Sequence, residues 1–265
     1  MSLARYLSRA FPMCPGHILR NALKARDVRI GGVRAGADAV VSEGDALQVY
    51  IDERFLTAPA TVLHDDGSVL ALDKPQNLPV DVDADGIGED TLLLRARALH
   101  PEARLCHRLD AGTGGVTLFA LTDDAYQSLT DAFKKHRIEK TYRCLVVGRP
   151  EKPEGTLVHS LVKDAATARV RTARANQPGA VRATLSYRVV EDLGETSLVE
   201  IDLGTGRTHQ IRVQMAAIGC PVVGDDKYGD RSANKRLQAA HPALWCVRLR
   251  LSDGRTFTSQ SAFGP

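Results

Sequence analysis

"ARLCHRLDAGTGGVTLFAL", residues 103–121, joins two apolar runs through a stretch of glycine and threonine, and sets His107, Arg108 and Asp110 at the join. Ala103–Cys106 and Val116–Leu121 read as buried strands, being short, apolar and bounded by turn residues. On an extended segment Cys106, Arg108 and Asp110 share one face, and His107 and Leu109 the other. An ionisable group at such a junction is either a turn residue or the working end of a site.

The same strand-to-strand economy holds on both sides. Residues 61–75 (TVLHDDGSVLALDKP) give two strands around a DG turn. Thr122 can cap a helix with Asp123 and Asp124 in its first turn and Ala125, Leu129, Ala132 and Phe133 on its buried face. Residues 140–148 (KTYRCLVVG) form the next strand, with Tyr142, Cys144 and Val146 on one face. A turn-rich connection, 173–183, precedes further strands at 184–192, 196–203 and 245–252. Strands that follow one another with few helices predict an α+β domain on a mixed, largely antiparallel sheet, not alternating βαβ units.

The beginning of the chain differs. Leu3, Tyr6, Leu7 and Ala10 fall on one helical face, and Ile18, Leu19, Ala22 and Leu23 on another, opened by Pro15. Short strands follow in VRIGGVRAG and GDALQVYI, and residues 51–60 (IDERFLTAPA) read as a linker. Residues 1–50 carry seven Arg or Lys against four acids, a balance of +3 that equals the net charge of the whole chain. Residues 51–265 are therefore neutral, and the basic piece reads as an appended polyanion-binding module.

Composition excludes several classes. With 43% apolar residues the 265-residue chain can build a core. Its five cysteines are scattered without a C-x-x-C pair, which argues for reduced thiols, a cytoplasmic address and no cysteine metal site. No apolar run approaches the ~20 residues that cross a bilayer. DVDADG, residues 81–86, imitates the start of a calcium loop, but its twelfth position is Leu92 where a bidentate Glu is needed. GTGRTHQIR, residues 204–212, has neither the P-loop nor the dinucleotide spacing, and the eight histidines form no H-E-x-x-H. No metal and no cofactor are expected.

Four blocks together resemble the RluA-type pseudouridine synthases, which turn uridine in RNA into its C-glycoside isomer. HRLDAGTGGVTLFA is similar to their H-R-L-D-x-x-T-S-G segment, and KTYRCLVVG to K-x-Y-x-A-x-V-x-G. GTGRTHQIRVQMAAIGCPVVGDDKYGD is similar to T-G-R-T-H-Q-I-R-V-H…G-x-P-I-x-G-D-x-x-Y-G, and LALDKPQNLPV to K-P-x-G-L-x-V. The blocks occur in family order between residues 69 and 229. Gly114, Gln214 and Asn77 depart from the pattern, standing where the family has Ser, His and Gly.

The resemblance implies the pseudouridine synthase fold over residues 55–265, and the first 54 residues resemble an S4 RNA-binding domain. It makes Asp110 the catalytic carboxylate, Arg212 its partner and Tyr142 the ring against the base. Arg108 would steady the gap left by a flipped nucleotide. His107, Thr113, Arg207, His209 and Gln210 would line the substrate. The implied partner is ribosomal or transfer RNA, bound by a monomer away from membranes. A non-catalytic RNA-binding factor that keeps the fold is the alternative. A two-carboxylate glycoside hydrolase is the other, and it would need a second acid in these blocks.

Overall fold

Amphipathic spacing in the first 25 residues gives two short helices, α1 (Leu3–Ala10) and α2 (Gly16–Ala25). Three short strands, β1 (Val28–Ile30), β2 (Val33–Arg34) and β3 (Leu47–Val49), form an antiparallel sheet in the order β2-β1-β3. Leu3, Leu7, Leu19, Leu23 and Val28 are buried together, and Tyr6 packs on them from the edge, so this ring serves the core. Arg5, Arg9, Arg20, Lys24, Arg26 and Arg34 remain exposed around that core.

The computed structural model describes all residues but 12, 13, 15, 52–60, 82–90, 165–168 and 261–265. Pro15, the linker beyond Ile51 with the expected boundary at 54/55, and the calcium-loop imitation beyond Asp81 therefore lie outside the described residues.

After residue 60 the chain runs β4 (Thr61–Asp65), β5 (Val69–Lys74), α3 (Leu92–Leu99), β6 (Arg104–Leu105), β7 (Gly114–Ala120), α4 (Asp123–Lys134) and β8 (Glu139–Val147). It continues through β9 (Glu154–Lys163), β10 (Val170–Ala173), β11 (Val181–Asp192), β12 (Thr196–Leu203), α5 (Gln210–Ala217), α6 (Arg231–Arg236), β13 (Leu244–Arg250) and β14 (Thr256–Thr258). One eleven-stranded sheet takes all these strands, in the order β10-β9-β11-β12-β8-β13-β7-β5-β4, with β14 on β13 and β6 on β7. Every described pairing in it is antiparallel except β13 with β7. This is the mixed, largely antiparallel α+β sheet expected from the order of strands.

The middle of the sheet is covered on both faces, which explains the unbroken apolar runs in β5 and β7. Val69 and Ala71, with Val116, Leu118 and Ala120, face the cluster that includes Ala125, Leu129 and Ala132 of α4. Leu70, Leu72 and Phe119 face the opposite way, onto Leu92, Leu93 and Ala96 of α3. Each fully buried Leu or Phe contributes about 1.5–3 kcal/mol. Thr122 caps α4, its hydroxyl accepting the Ala125 N–H at 3.2 Å, with Asp123 and Asp124 in the first turn.

Three helices, α3, α5 and α6, are not foreseen in the sequence. In α5 every residue from Gln210 to Met215 is buried, so no polar-to-apolar period marks it.

Strand β13 approaches β7 closely at Gly114 and Gly115, which pair with Trp245 and Cys246. A Cβ on Gly115 would lie 2.1 Å from the Cys246 carbonyl oxygen, and one on Gly114 2.4 Å from the Trp245 ring. The indole thus occupies the space of the family's serine side chain, and its Nε1 donates to Ser259 Oγ at 2.8 Å, which in turn donates to Asp73 at 2.8 Å. Gly114→Ser is therefore expected to cost about 1–3 kcal/mol through overpacking. Thermal unfolding should show that loss, and adding Trp245→Ala should bring the double variant closer to parent than the sum of the single effects.

Candidate active site

Asp110 ends the extended segment that follows β6, and its carbonyl accepts the Thr113 N–H at 3.0 Å, closing the turn into β7. The turn is gripped from the end of β5. Lys74 is fully buried, and its Nζ donates to the carbonyls of Pro75 at 2.9 Å, Leu78 at 2.7 Å and Ala111 at 2.9 Å. Three acceptors match the three protons of an ammonium. Burial pushes the Lys74 pKa down to about 7, against the opposing pull of the Asp110 charge. Gln76 Nε2 donates to Gly112 O at 3.1 Å and to Pro242 O, and the Asn77 N–H to Ala111 O at 2.8 Å. Asn77 holds φ at +62°, a left-handed conformation that asparagine tolerates, which accounts for its standing in place of glycine.

Helix α5 brings Arg212 against this turn. The guanidinium is nearly buried and forms a fork onto Asp225, Nε and Nη2 each donating to a carboxylate oxygen at 2.7 Å. Its Nη1 lies 3.8 Å from Asp110 Oδ2. Burial works against the Arg212 charge, but Asp225 more than offsets it and holds the pKa above the ordinary value. Asp225 is fully buried; burial alone would raise its pKa, and the Arg212 bonds with the Tyr228 and Lys227 N–H groups bring it below the ordinary value. Asp225 is thus the structural anchor of the arginine, and Asp110 is the looser, one-third exposed carboxylate at its free edge.

His209, at the left-handed N-cap of α5, places Nε2 3.8 Å from the same Asp110 oxygen and Nδ1 2.8 Å from the Tyr228 hydroxyl. Burial leads in holding its pKa below the ordinary value, so the ring is neutral near pH 7. A carboxylate only accepts, so the favoured tautomer carries its proton on Nε2 and accepts the Tyr228 O–H at Nδ1. The Tyr228 ring also lies under Arg212, 5.2 Å from centroid to guanidinium carbon.

Tyr142, on β8 between Ile201 of β12 and Cys246 of β13, is buried at the base of the same cleft. Burial raises its pKa well above the phenol value, with further contributions from its contact with the Cys246 thiol and from Asp110. Its ring is a flat neutral surface and not a base. The cleft encloses about 1100 Å³, with Arg108 exposed along it. Among the described residues no group of three or more His, Cys, Asp or Glu is placed to hold a metal ion.

The residues singled out in the sequence converge here, but not all with free side chains. Asp110, Tyr142, Arg212, Arg108, His107, Arg207 and His209 line the cleft, and Thr113 and Gln210 line its inner end. His107 turns to the other face. Its Nε2 accepts the Leu118 N–H at 3.0 Å and its ring stacks on Phe133 at 4.2 Å, while burial pushes its pKa down to about 3. Gln210 is buried: its Oε1 accepts from Thr205 Oγ1 at 2.7 Å and from the Arg207 N–H at 3.1 Å, and its Nε2 donates to Thr184 O at 2.9 Å. Both side chains shape the site and have little left to offer a ligand.

Arg212, not Arg207, reaches Asp110, at 3.8 Å, but it takes Asp225 as its chief partner, because a bidentate fork at 2.7 Å outweighs a single 3.8 Å approach. One expectation needs correction. Asp110 is not the one carboxylate in the motif blocks, which also hold Asp73, Asp225, Asp226 and Asp230; Asp225, which shares its arginine, is buried and bonded, which leaves it unfit as a free acid. Its only sequence signal is the D-x-x-Y spacing of GDDKYGD, which gathers the Tyr228 N–H onto the carboxylate at 3.0 Å. At Gln214 the side chain is fully buried, its Nε2 3.1 Å from His159 Nδ1, so β9 supplies an imidazole beside the position where the family has its own.

Comparison with known proteins points to one family. The family model described as RNA pseudouridylate synthase matches residues 68–217, which include Asp110, Tyr142 and Arg212. The ribosomal large subunit pseudouridine synthase C of Rickettsia bellii is 27% identical over 251 residues, covering 86% of this chain and 82% of its own length. An uncharacterized RNA pseudouridine synthase of Mycobacterium bovis is 32% identical over 234 residues, covering 79% and 73%. Among solved structures, human RNA pseudouridylate synthase domain containing 1 is similar with a TM-score of 0.68 and 26% identity, over 78% of this chain and 85% of that one.

Proposed function

This chain belongs to the RNA pseudouridylate synthase family and acts as an RNA pseudouridine synthase, and from that premise we propose that Asp110 is its catalytic carboxylate. The reaction breaks the N1–C1′ bond of a uridine, turns the uracil and joins C5 to C1′, so that the C5 proton leaves and N1 gains one. Attack on the sugar, addition to the base and removal of a ribose proton all need Asp110 ionised. Arg212 Nη1 and His209 Nε2 each lie 3.8 Å from its Oδ2, within reach of the carboxylate but not locked to it in a tight pair. That looseness is the observation that carries the reading: the arginine's fork is taken up by Asp225, which leaves the Asp110 carboxylate untied and free to react.

Tyr142 carries the uracil on its ring, and Arg108 steadies the strand from which the nucleotide is extruded. Lys74, Gln76, Thr113 and Gln210 act as positioning residues that hold the two halves of the site in place. The relatives named ribosomal large subunit pseudouridine synthase C support large-subunit ribosomal RNA as the substrate class over transfer RNA. Unstacking a base costs a few kcal/mol, so loops and bulges are the favoured targets. Mapping pseudouridine across ribosomal and transfer RNA, with and without the gene, tests this. Loss confined to transfer RNA sites would overturn the ribosomal assignment.

Residues 1–54 serve as an S4-like RNA-binding domain beside a catalytic domain over 55–265. A chain starting near residue 57 is expected to keep turnover on saturating RNA but to bind it more weakly, with a shallower dependence of affinity on salt. An unchanged salt slope would remove the RNA-binding role from this piece. The reaction is redox-neutral and uses no phosphate energy, so activity is expected to persist in EDTA after dialysis. Restoration of a lost activity by zinc added to prefolded RNA would contradict that.

A further inference from the structure

The cleft carries more positive charge than the isomerisation uses. Arg108, Lys134, His136, Lys140, Lys163 and Arg207 all line it, and among the described residues none of the six forms an ion pair. The carboxylates on the lining are Asp81 and Asp110 alone, and Asp110 already faces Arg212 and His209. Lys140 is the most informative of the six. It is more than nine-tenths buried, yet its Nζ makes one long hydrogen bond, 3.4 Å to Ile138 O. An ammonium has three donors, so a buried one with a single weak bond lacks acceptors. Lys74, fully buried and bonded to Ala111 beside Asp110, has all three of its acceptors.

The ionisable groups that the Lys140 charge reaches are the His136 and His107 rings and the Cys246 thiol. Burial, then the charges of Lys140 and Arg207, keep the His136 imidazole below its ordinary pKa, and the Lys140 charge bears on His107 as well. Like charges gathered in a concave, partly desolvated wall raise a strong positive potential that an anion relieves. Lys140 stands two residues before Tyr142 on the same face of β8, about 6.6 Å along the strand. An anion at Lys140 is therefore within roughly one nucleotide of a base lying on the Tyr142 ring.

We propose that the α4–β8 wall of the cleft is a phosphate subsite, in which Lys140 with His136 and Arg207 receives the RNA phosphodiester next to the target uridine. The inference rests on the reading that the cleft takes a flipped uridine. Lys140 supplies the desolvated donor, Arg207 the exposed guanidinium, and His136 a ring that gains a proton as the anion arrives. The subsite fixes the backbone beside the reacting nucleotide, and it is separate from the Asp225-anchored arginine that serves Asp110.

Inorganic phosphate is the probe for the full chain without RNA. Its titration is expected to shift the His136 ring resonances to saturation, and Lys140→Met should weaken that binding about tenfold, the loss of one charge-assisted hydrogen bond. Lys140→Arg should retain it, and Arg207→Gln should weaken it without touching the buried wall, which keeps the test valid if Lys140→Met fails to fold. On ribosomal RNA, Lys140→Met should raise KM with kcat little changed, and lower the slope of log affinity against log salt by about 0.7–0.9, one single-strand or duplex phosphate. No phosphate-dependent shift of His136, or an unchanged salt slope in Lys140→Met, overturns the subsite. If phosphate binds as expected and no RNA releases tritium from 5-labelled uridine, the subsite stands and the uridine reading of the cleft falls.

Discussion

Asp110→Asn is expected to stop tritium release from 5-tritiated uridine in RNA, a loss on the order of 10³-fold or more, or about 4 kcal/mol of transition-state stabilisation. RNA affinity should change little, because asparagine keeps the shape and hydrogen-bonding reach of the side chain. The fold should also hold. Asp110 is one-third exposed and its neighbours Arg212 and His209 stand at 3.8 Å, so removing its charge breaks no tight pair. Arg212 keeps its bidentate partner at 2.7 Å. An inactive variant with a parental Tm is the expected outcome, and substantial residual turnover would show that another group does the chemistry.

Asp225→Asn should behave in the opposite way with respect to stability. It leaves the Arg212 guanidinium buried with only the distant Asp110 and the exposed Asp226, at 3.5 Å, to balance it. Breaking one side of a buried pair costs about 3–5 kcal/mol, which urea unfolding would detect as a shift of midpoint. Turnover should fall too, because an unanchored Arg212 can collapse onto Asp110 and tie up the carboxylate proposed to react. The acid limb of the stability curve offers a second readout. The Asp225 pKa is lower folded than unfolded, so below the ordinary carboxylate value the unfolded chain binds the extra proton. Its contribution is fully present above that value and is lost as pH falls through the lowered folded value. Asp225→Asn should flatten this limb. Equal destabilisation by the two substitutions would mean that Arg212 does not discriminate between its carboxylates.

Patterns confined to one segment could be read in the sequence before any contact was known. The α4 cap at Thr122, the buried runs of β5 and β7 and the antiparallel succession of strands each follow from local period, turn residues and side-chain shape. So did the charge of residues 1–50 and the resemblance that singled out Asp110, Tyr142 and Arg212, since these lie in blocks with fixed internal spacing. Helix α5 escaped because it is buried all round, and a helix without a wet face leaves no amphipathic trace.

What the sequence by itself determined is therefore the strand-built α+β class and, through the resemblance, the three residues proposed to carry the chemistry. Which partner each group takes was decided only by the tertiary structure. Arg212 stands between two carboxylates more than a hundred residues apart in sequence, and the choice of Asp225 over Asp110 is one of distance and burial. The same holds for Lys74, whose three carbonyl acceptors exist because the 75–78 turn folds against Ala111. It holds for Gly114, whose missing side chain has meaning only beside the Trp245 ring brought in by the parallel pairing of β13. Desolvation and charge pairing depend on what surrounds a group in three dimensions, and sequence spacing carries no record of that.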